Sequence, residues 1–204
     1  MEDVLCLSIE LYPLMNVLIP SFQVIGPDGE NWGSIFYNNF EHSPYLNTRV
    51  IDAALSSSAA PLYFPSHDNH IDGGVMANNP STAAICIAKD KSAGNQKLEN
   101  IRLLSVGTGL NSLKITADTT DWGAIQWVLY PEPPIPIVSI LFDGVIEADE
   151  LFSSQLLGKR YFRLNPSLNK SVSLDDYTEI PYLVDIAEKY DLSATVNWIK
   201  RNWF

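Results

Sequence analysis

Cysteine, histidine and basic residues are all scarce in this chain of 204 residues, and each scarcity narrows what it can do. The two cysteines, Cys6 and Cys86, form no CxxC pair and lie far apart, which argues against a zinc knuckle or a disulfide framework. They read as reduced, buried thiols of a cytoplasmic protein. Only 13 Lys and Arg stand against 24 Asp and Glu, a formal net charge of -11, so the surface repels phosphate backbones and anionic lipid head groups at long range. A nucleic-acid partner is thereby disfavoured, while neutral and zwitterionic substrates stay open. Long hydrophobic runs are missing too. The apolar segment Val4 to Phe22 is interrupted by Glu10, Pro13, Asn16 and Pro20, and Glu2 and Asp3 stand where a basic leader region would, so neither a signal peptide nor a membrane span is expected.

What is present is ordinary globular material, 46% hydrophobic and 18% charged, enough for one substantial core and too short for two full domains. Asn16 to Gln23 is a β-rich run that Pro20 ends; the turn Gly26-Pro27-Asp28-Gly29 and the return run Ile35-Phe36-Tyr37 complete a hairpin. Thr48 to Ala59 predicts a helix capped by Asn47 or Thr48, with Val50, Ile51, Ala54 and Leu55 on one face and Pro61 as its stop. Pro65, after Leu62-Tyr63-Phe64, returns the chain to loop. Pro80 at the first helical position, with Asn79 as cap, opens a second helix to about Lys89. Ile101 to Val106 reads as a buried strand closed by Gly107-Thr108-Gly109. Strand, helix and strand in that rhythm indicate an α/β layer architecture with parallel pairing.

The last third reads helical. Trp122 to Leu129 is a short apolar helix, Pro131 to Pro136 a break, and Ile137 to Leu157 a long helix with Ile140, Leu141, Val145, Ala148, Leu151, Phe152 and Leu156 on its buried side. Arg160 to Leu164 alternates like an edge strand, and Tyr182 to Trp203 forms a closing helix. Trp122, Trp127, Trp198 and Trp203 fall on these helices and read as core or interface anchors.

The segment His70-Ile71-Asp72-Gly73-Gly74-Val75-Met76-Ala77-Asn78-Asn79-Pro80 carries the strongest chemical signal. Asp-Gly-Gly alone is a common turn tripeptide. Here it follows a strand-like residue and precedes a proline-started helix, which puts the carboxylate at a strand's carboxyl end, where open α/β sheets place their chemistry. His67, Asp68, His70 and Asp72 offer metal-ligand types, but their spacing matches no zinc template and a solvated loop is the simpler reading; no metal and no cofactor is expected. His70 is too near Asp72 in sequence to form the relay of a Ser-His-Asp triad. Gly107-Thr108-Gly109 lacks the third glycine of a dinucleotide turn, and Asn111-Ser112 does not open a helix, so close backbone packing is its default role.

Three of these segments agree on a family. Ala53-Ala54-Leu55-Ser56-Ser57-Ser58-Ala59-Ala60-Pro61-Leu62-Tyr63-Phe64-Pro65, then Ile71 to Pro80, then Leu104-Ser105-Val106-Gly107-Thr108-Gly109 resemble the successive middle motifs of the patatin-like phospholipases, and Val17 to Phe22 resembles the strand before them. The resemblance runs from about Tyr12 to Gly109. It implies a lipid acyl hydrolase of three-layer α/β/α fold with a Ser-Asp dyad, in which Asp72 matches the acid that acts on the serine hydroxyl without a histidine. A serine is a poor nucleophile until such a base accepts its proton and backbone amides stabilise the oxyanion.

The nucleophile half of that pattern is missing: no GxSxG stands anywhere in the 204 residues, and neither does the glycine-rich oxyanion loop. In family order both precede Val17, where only Met1 to Asn16 stand. The expectation is therefore the C-terminal portion of a patatin-like acyl hydrolase, incomplete at its N-terminal side and inactive alone. It is read as one partial domain over 1-204, with the motifs in about 12-109 and a helical remainder in about 110-204. The alternative is a non-catalytic remnant that serves as a lipid- or protein-binding scaffold. Partners implied are a lipid or other acyl ester, a membrane met at its periphery, and a protein covering the exposed sheet edge.

Overall fold

The hairpin expected after Asn16 is the centre of the first half of the chain. In the computed structural model, which describes residues 15–29, 31–111, 114–133 and 135–203, strand β1 (Leu18–Gln23) pairs antiparallel with β2 (Gly33–Asn38) on one side and β3 (His70–Asp72) on the other. Cys6, the start of the resemblance at Tyr12, and Ser112 lie outside the described residues. β1 runs through Pro20 rather than ending there. The β1–β3 pairing starts at Ser21, so the missing N–H of Pro20 removes no rung on that side.

Helix α1 (Val50–Ser58) packs on β1 and β3. Tyr37 and Ala53 form a small core with Ile19, Ile35, Tyr45 and Val50 against it, and the Tyr37 and Tyr45 rings meet edge to face at 5.2 Å. The face that α1 buries is not the expected one. Ala53 and Ser56 are buried, whereas Ile51 and Leu55 are exposed. Short side chains on the sheet-facing side let the helix backbone approach β1 within hydrogen-bonding distance, which bulkier Ile51 and Leu55 would prevent.

After β3 come α2 (Gly74–Ala77) and α3 (Ser81–Lys89), the latter anchored by fully buried Ile85. Pro80 is the cap of α3 and not its expected first residue, and Asn79, the expected cap, is buried behind it. Cys86, expected inside, is exposed, because its neighbour Ile85 takes the buried face of the helix.

The chain divides into a first unit, Met1–Ile101, and a second, Arg102–Phe204. In the second unit β4 (Leu103–Val106) pairs parallel with β6 (Tyr161–Leu164), and β5 (Leu110–Asn111) pairs parallel with β7 (Ser167–Leu168). Parallel pairing thus occurs here and not in the described sheet that carries Asp72. Between them run α4 (Ala124–Leu129) and the 22-residue α5 (Pro136–Leu157), which packs on β6. The expected buried stripe of α5 is largely uncovered: Ile140, Leu141, Leu151, Phe152 and Leu156 are all exposed, while Pro136, Ser153 and Leu157 are inside. The closing helix is two helices, α6 (Ile180–Lys189) and α7 (Ser193–Asn202), parted at a turn where the Asp191 carboxylate accepts the Ser193 N–H at 2.8 Å. The architecture is mixed α/β, as the sequence leads one to expect. No helix among the described residues is long and apolar enough to cross a membrane.

Candidate functional site

Asp72 is delivered to its position by a tight turn. His67 N donates to His70 O at 3.0 Å and His70 N to His67 O at 2.8 Å, with positive φ at both intervening residues, Asp68 (46°) and Asn69 (60°), as a type I′ hairpin turn demands. The turn leads straight into β3. At its far end Asp72 N donates to Ala59 O at 3.0 Å, tying the acid's backbone to the residue that closes α1.

The side chain is then oriented by the next element. Asp72 Oδ1 accepts the Gly74 N–H at 2.7 Å, at the start of α2. Among the described residues no hydrogen-bond donor reaches Oδ2, and the residue is half-buried. Gly73 makes this corner sterically feasible. A Cβ built there would lie 2.2 Å from Pro20 O and 2.4 Å from its carbonyl carbon, so the chain passes against β1 with no room for a side chain. Its φ of -63° is ordinary helical backbone, so glycine is required for closeness and not for an unusual conformation.

Opposite Asp72 in the β1–β3 register stands Ser21. It is fully buried, and its hydroxyl is positioned on Ser56 O at 3.0 Å and Ile71 O at 3.1 Å. Ser56 O is one of the carbonyls that the end of α1 leaves without a helical partner, so Ser21 joins strand, helix and the residue preceding the acid in one contact.

A family model described as patatin-like phospholipase matches residues 18–85, which span β1 through Ile85 of α3 and so contain Asp72, Gly73 and Ser21. The chain is patatin-like. Among curated relatives it is similar to Protein teg of Priestia megaterium, 34% identical over 208 residues that cover 92% of this chain and 64% of the relative. It is also similar to the putative sporulation hydrolase CotR of Bacillus subtilis, 33% identical over the same shares of the two chains, and to patatin-like protein 3 of Arabidopsis thaliana, 26% identical over 86% of this chain and 48% of that one. The chain thus spans less than two thirds of the length of these relatives. No solved structure matches it.

The other residues singled out in the patatin-like sequence have separate tasks. His67 and Asp68 come together with a partner the sequence did not suggest, Asp52 of α1, with one possible ligand atom from each within 4.8 Å of the others. Arg49 already holds both oxygens of Asp52, at 2.6 and 2.9 Å, and His67 Nε2 lies 3.3 Å from Oδ1. A cation would have to displace the guanidinium, so the group works as an ion-pair network that pins the turn to α1. The Arg49 hydrogen bonds, with His67 adding to them, hold the Asp52 carboxyl below its usual range despite its partial burial. His70 and Asp72 stand outside this group. His70 meets Asp68 O through Nδ1 at 2.6 Å and packs against Tyr37, whose hydroxyl pKa is raised by burial.

Gly107-Thr108-Gly109 has its glycine amides engaged internally. Gly107 N donates to Leu164 O at 2.8 Å and Gly109 N to Asn165 Oδ1 at 2.9 Å, which leaves neither for a phosphate and agrees with close backbone packing. Ser21 is the residue that sequence reasoning missed. Its only signal was a small polar residue in the middle of an apolar strand.

Proposed function

We propose that this chain provides the acid limb of a lipid acyl hydrolase, with the Asp72 carboxylate accepting the proton of a serine hydroxyl as that oxygen attacks an acyl ester. One observation supports it above others: one oxygen of Asp72 is fixed by the Gly74 N–H, and the other has no donor among the described residues. A general base has to be oriented and still keep a lone pair for the incoming proton. The serine would come from a GxSxG segment outside these 204 residues, since no serine here has those flanks and Ser21, across from Asp72, is sealed in the sheet. Oxyanion amides would come from the same segment. The substrate class is a lipid or other acyl ester, met at the periphery of a membrane.

The chain alone is expected to hydrolyse p-nitrophenyl butyrate at the background rate. Joined to the GxSxG-bearing segment of a patatin-like relative, it should turn the ester over, and Asp72→Asn should then lower kcat by about 10²-fold or more. Turnover by the joined protein that Asp72→Asn leaves intact would refute the assignment.

A second reading, a binding scaffold, is favoured by the loop after α1. Leu62, Tyr63 and Phe64 stand exposed between Pro61 and Pro65, with Leu62 held at a φ of 79°, three residues past the Ala59 that binds Asp72. Apolar side chains presented this way suit a lipid or protein contact. That reading requires a folded, monodisperse chain by light scattering; aggregation counts against it.

A further inference from the structure

The second unit contains a cleft of about 630 Å³ that has no part in the Asp72 reading. β6 lines it with Tyr161 and Phe162, α7 with Asn197, Trp198 and Arg201, and the turn before β6 with Lys159. Its size is that of a small-molecule site.

The apolar wall is held in place. The Phe162 and Trp198 rings lie 5.7 Å apart with an interplanar angle of 34°, and Trp198 Nε1 donates to Lys159 O at 2.9 Å, so the indole plane and the Lys159 backbone are fixed to each other. Trp203 meets the same indole edge to face at 5.5 Å. An aromatic surface fixed in this way offers an apolar body a platform at little entropic cost.

What sets Lys159 and Arg201 apart from other lysines without an ion pair among the described residues, such as Lys89 and Lys91, is that they share one cleft. With 24 acidic residues against 13 basic ones, a cation in this chain has many acids to pair with, and Arg49, Arg163, Lys170 and Lys189 each do so. Lys159 and Arg201 have no ion-pair partner among the described residues, and no acidic side chain lines the cleft. Two uncommitted cations therefore share one concave surface with a fixed aromatic wall, in a chain whose overall field is negative. A planar guanidinium and an ammonium together suit an oxyanion.

We propose that this cleft binds an anionic amphiphile, its phosphate or carboxylate head held by Lys159 and Arg201 and its apolar body laid against Phe162 and Trp198. Neither cation alone accounts for the site; the pairing of head and body does. The proposal does not depend on Asp72 or on any hydrolytic activity.

Calorimetric titration of the full chain with dodecyl phosphate, kept below its micelle-forming concentration, tests it. Saturable binding is expected, weakened about tenfold or more in Lys159→Gln/Arg201→Gln, as the loss of charge-assisted contacts requires. Uncharged dodecyl maltoside and inorganic phosphate alone should each bind at least about tenfold more weakly, one lacking the head and the other the body. Dodecanoate in place of the phosphate reports whether a carboxylate also serves as the head. The Trp198 indole N–H resonance, assigned by its loss in Trp198→Phe, should shift with saturation in the unaltered chain, a readout that needs no charge variant to fold. Asp72→Asn should bind dodecyl phosphate normally, which separates this outcome from that of the hydrolase reading. Equal binding by the double variant, equal binding of the maltoside, or a silent Trp198 resonance overturns the proposal.

Discussion

Ser21 and Asp72 face each other across the β1–β3 pair, and the one chain serine placed opposite the acid is the one that cannot attack anything. Its hydroxyl spans Ser56 O and Ile71 O inside the sheet. Ser21→Ala would remove the single proton that the hydroxyl offers to those two carbonyls and should destabilise the chain by about 1–3 kcal/mol in urea unfolding, the usual penalty for stranding a buried polar group. A cost indistinguishable from zero would mean that water replaces the hydroxyl.

Gly73→Ala should be worse than its single added methyl suggests. The new Cβ meets backbone atoms of Pro20, which cannot rotate away as a side-chain tip would. Overpacking of this kind typically costs about 1–3 kcal/mol, and here the shift also moves Asp72. The measurements are chemical denaturation and, in a completed enzyme, kcat; a variant with unchanged midpoint and unchanged kcat would contradict the packing described.

Asp52 makes the turn at His67–His70 sensitive to acid. Its folded pKa is lowered by Arg49, so its stabilising contribution is present above the ordinary carboxyl value and is lost as pH falls through the lowered one. At pH 7 Asp52→Asn should lower stability by about 0.5–1 kcal/mol, the scale of a solvent-screened pair. The gap between variant and parent should begin to shrink below about pH 4, the ordinary carboxyl value, and close as pH falls through the lowered folded one. Thermal unfolding from pH 3 to 7 reads both.

Tyr161→Phe should stabilise. The Tyr161 hydroxyl is buried without a hydrogen-bond partner among the described residues, so removing it relieves a desolvation penalty of about 1 kcal/mol or more. A fall in the unfolding midpoint would show that the hydroxyl has a bridging water.

Gly144 interrupts the middle of α5 with open space around the position of a missing Cβ. Gly144→Ala should therefore raise stability by about 0.5–1 kcal/mol through helix propensity alone, read from the same denaturation curves.

Punctuation and the acid motif were legible in the sequence, because proline and glycine act over a few neighbours, whereas the expected side-chain caps, Asn47 or Thr48 for α1 and Asn79 for α3, give way to Arg49 and Pro80. The hairpin from Leu18 to Asn38, α1, α3 and α5 rest on such local signals, whereas the turn into Asp72 read only as loop. The faces of the helices were not. In α1 the periodicity of large residues pointed to Ile51 and Leu55, yet the sheet takes Ala53 and Ser56, because a helix whose backbone bonds to a strand side chain must come closer than a leucine permits. In α5 the apolar stripe is real but largely uncovered, since periodicity states which residues would gain by burial and not what is present to bury them. Asp52 joined His67 and Asp68 across 15 residues, and Lys159 and Arg201 come to line one cleft only once β6 and α7 have folded. No local pattern encodes such meetings.

The two kinds of sheet in this chain also set an order in time. β1 and β2 are joined by a connection of a few residues and can close on their own within microseconds. The β4–β6 pair, which the Arg163 contact to Ser105 bridges over 58 residues of sequence, must wait until α4 and α5 have been brought into place and a long loop has been closed. The corner that carries Asp72 waits on a long loop as well, since β3 must find β1 and the Ser21 contact to Ile71 O spans 50 residues of sequence, so only the β1–β2 hairpin belongs to the fast, local part of folding.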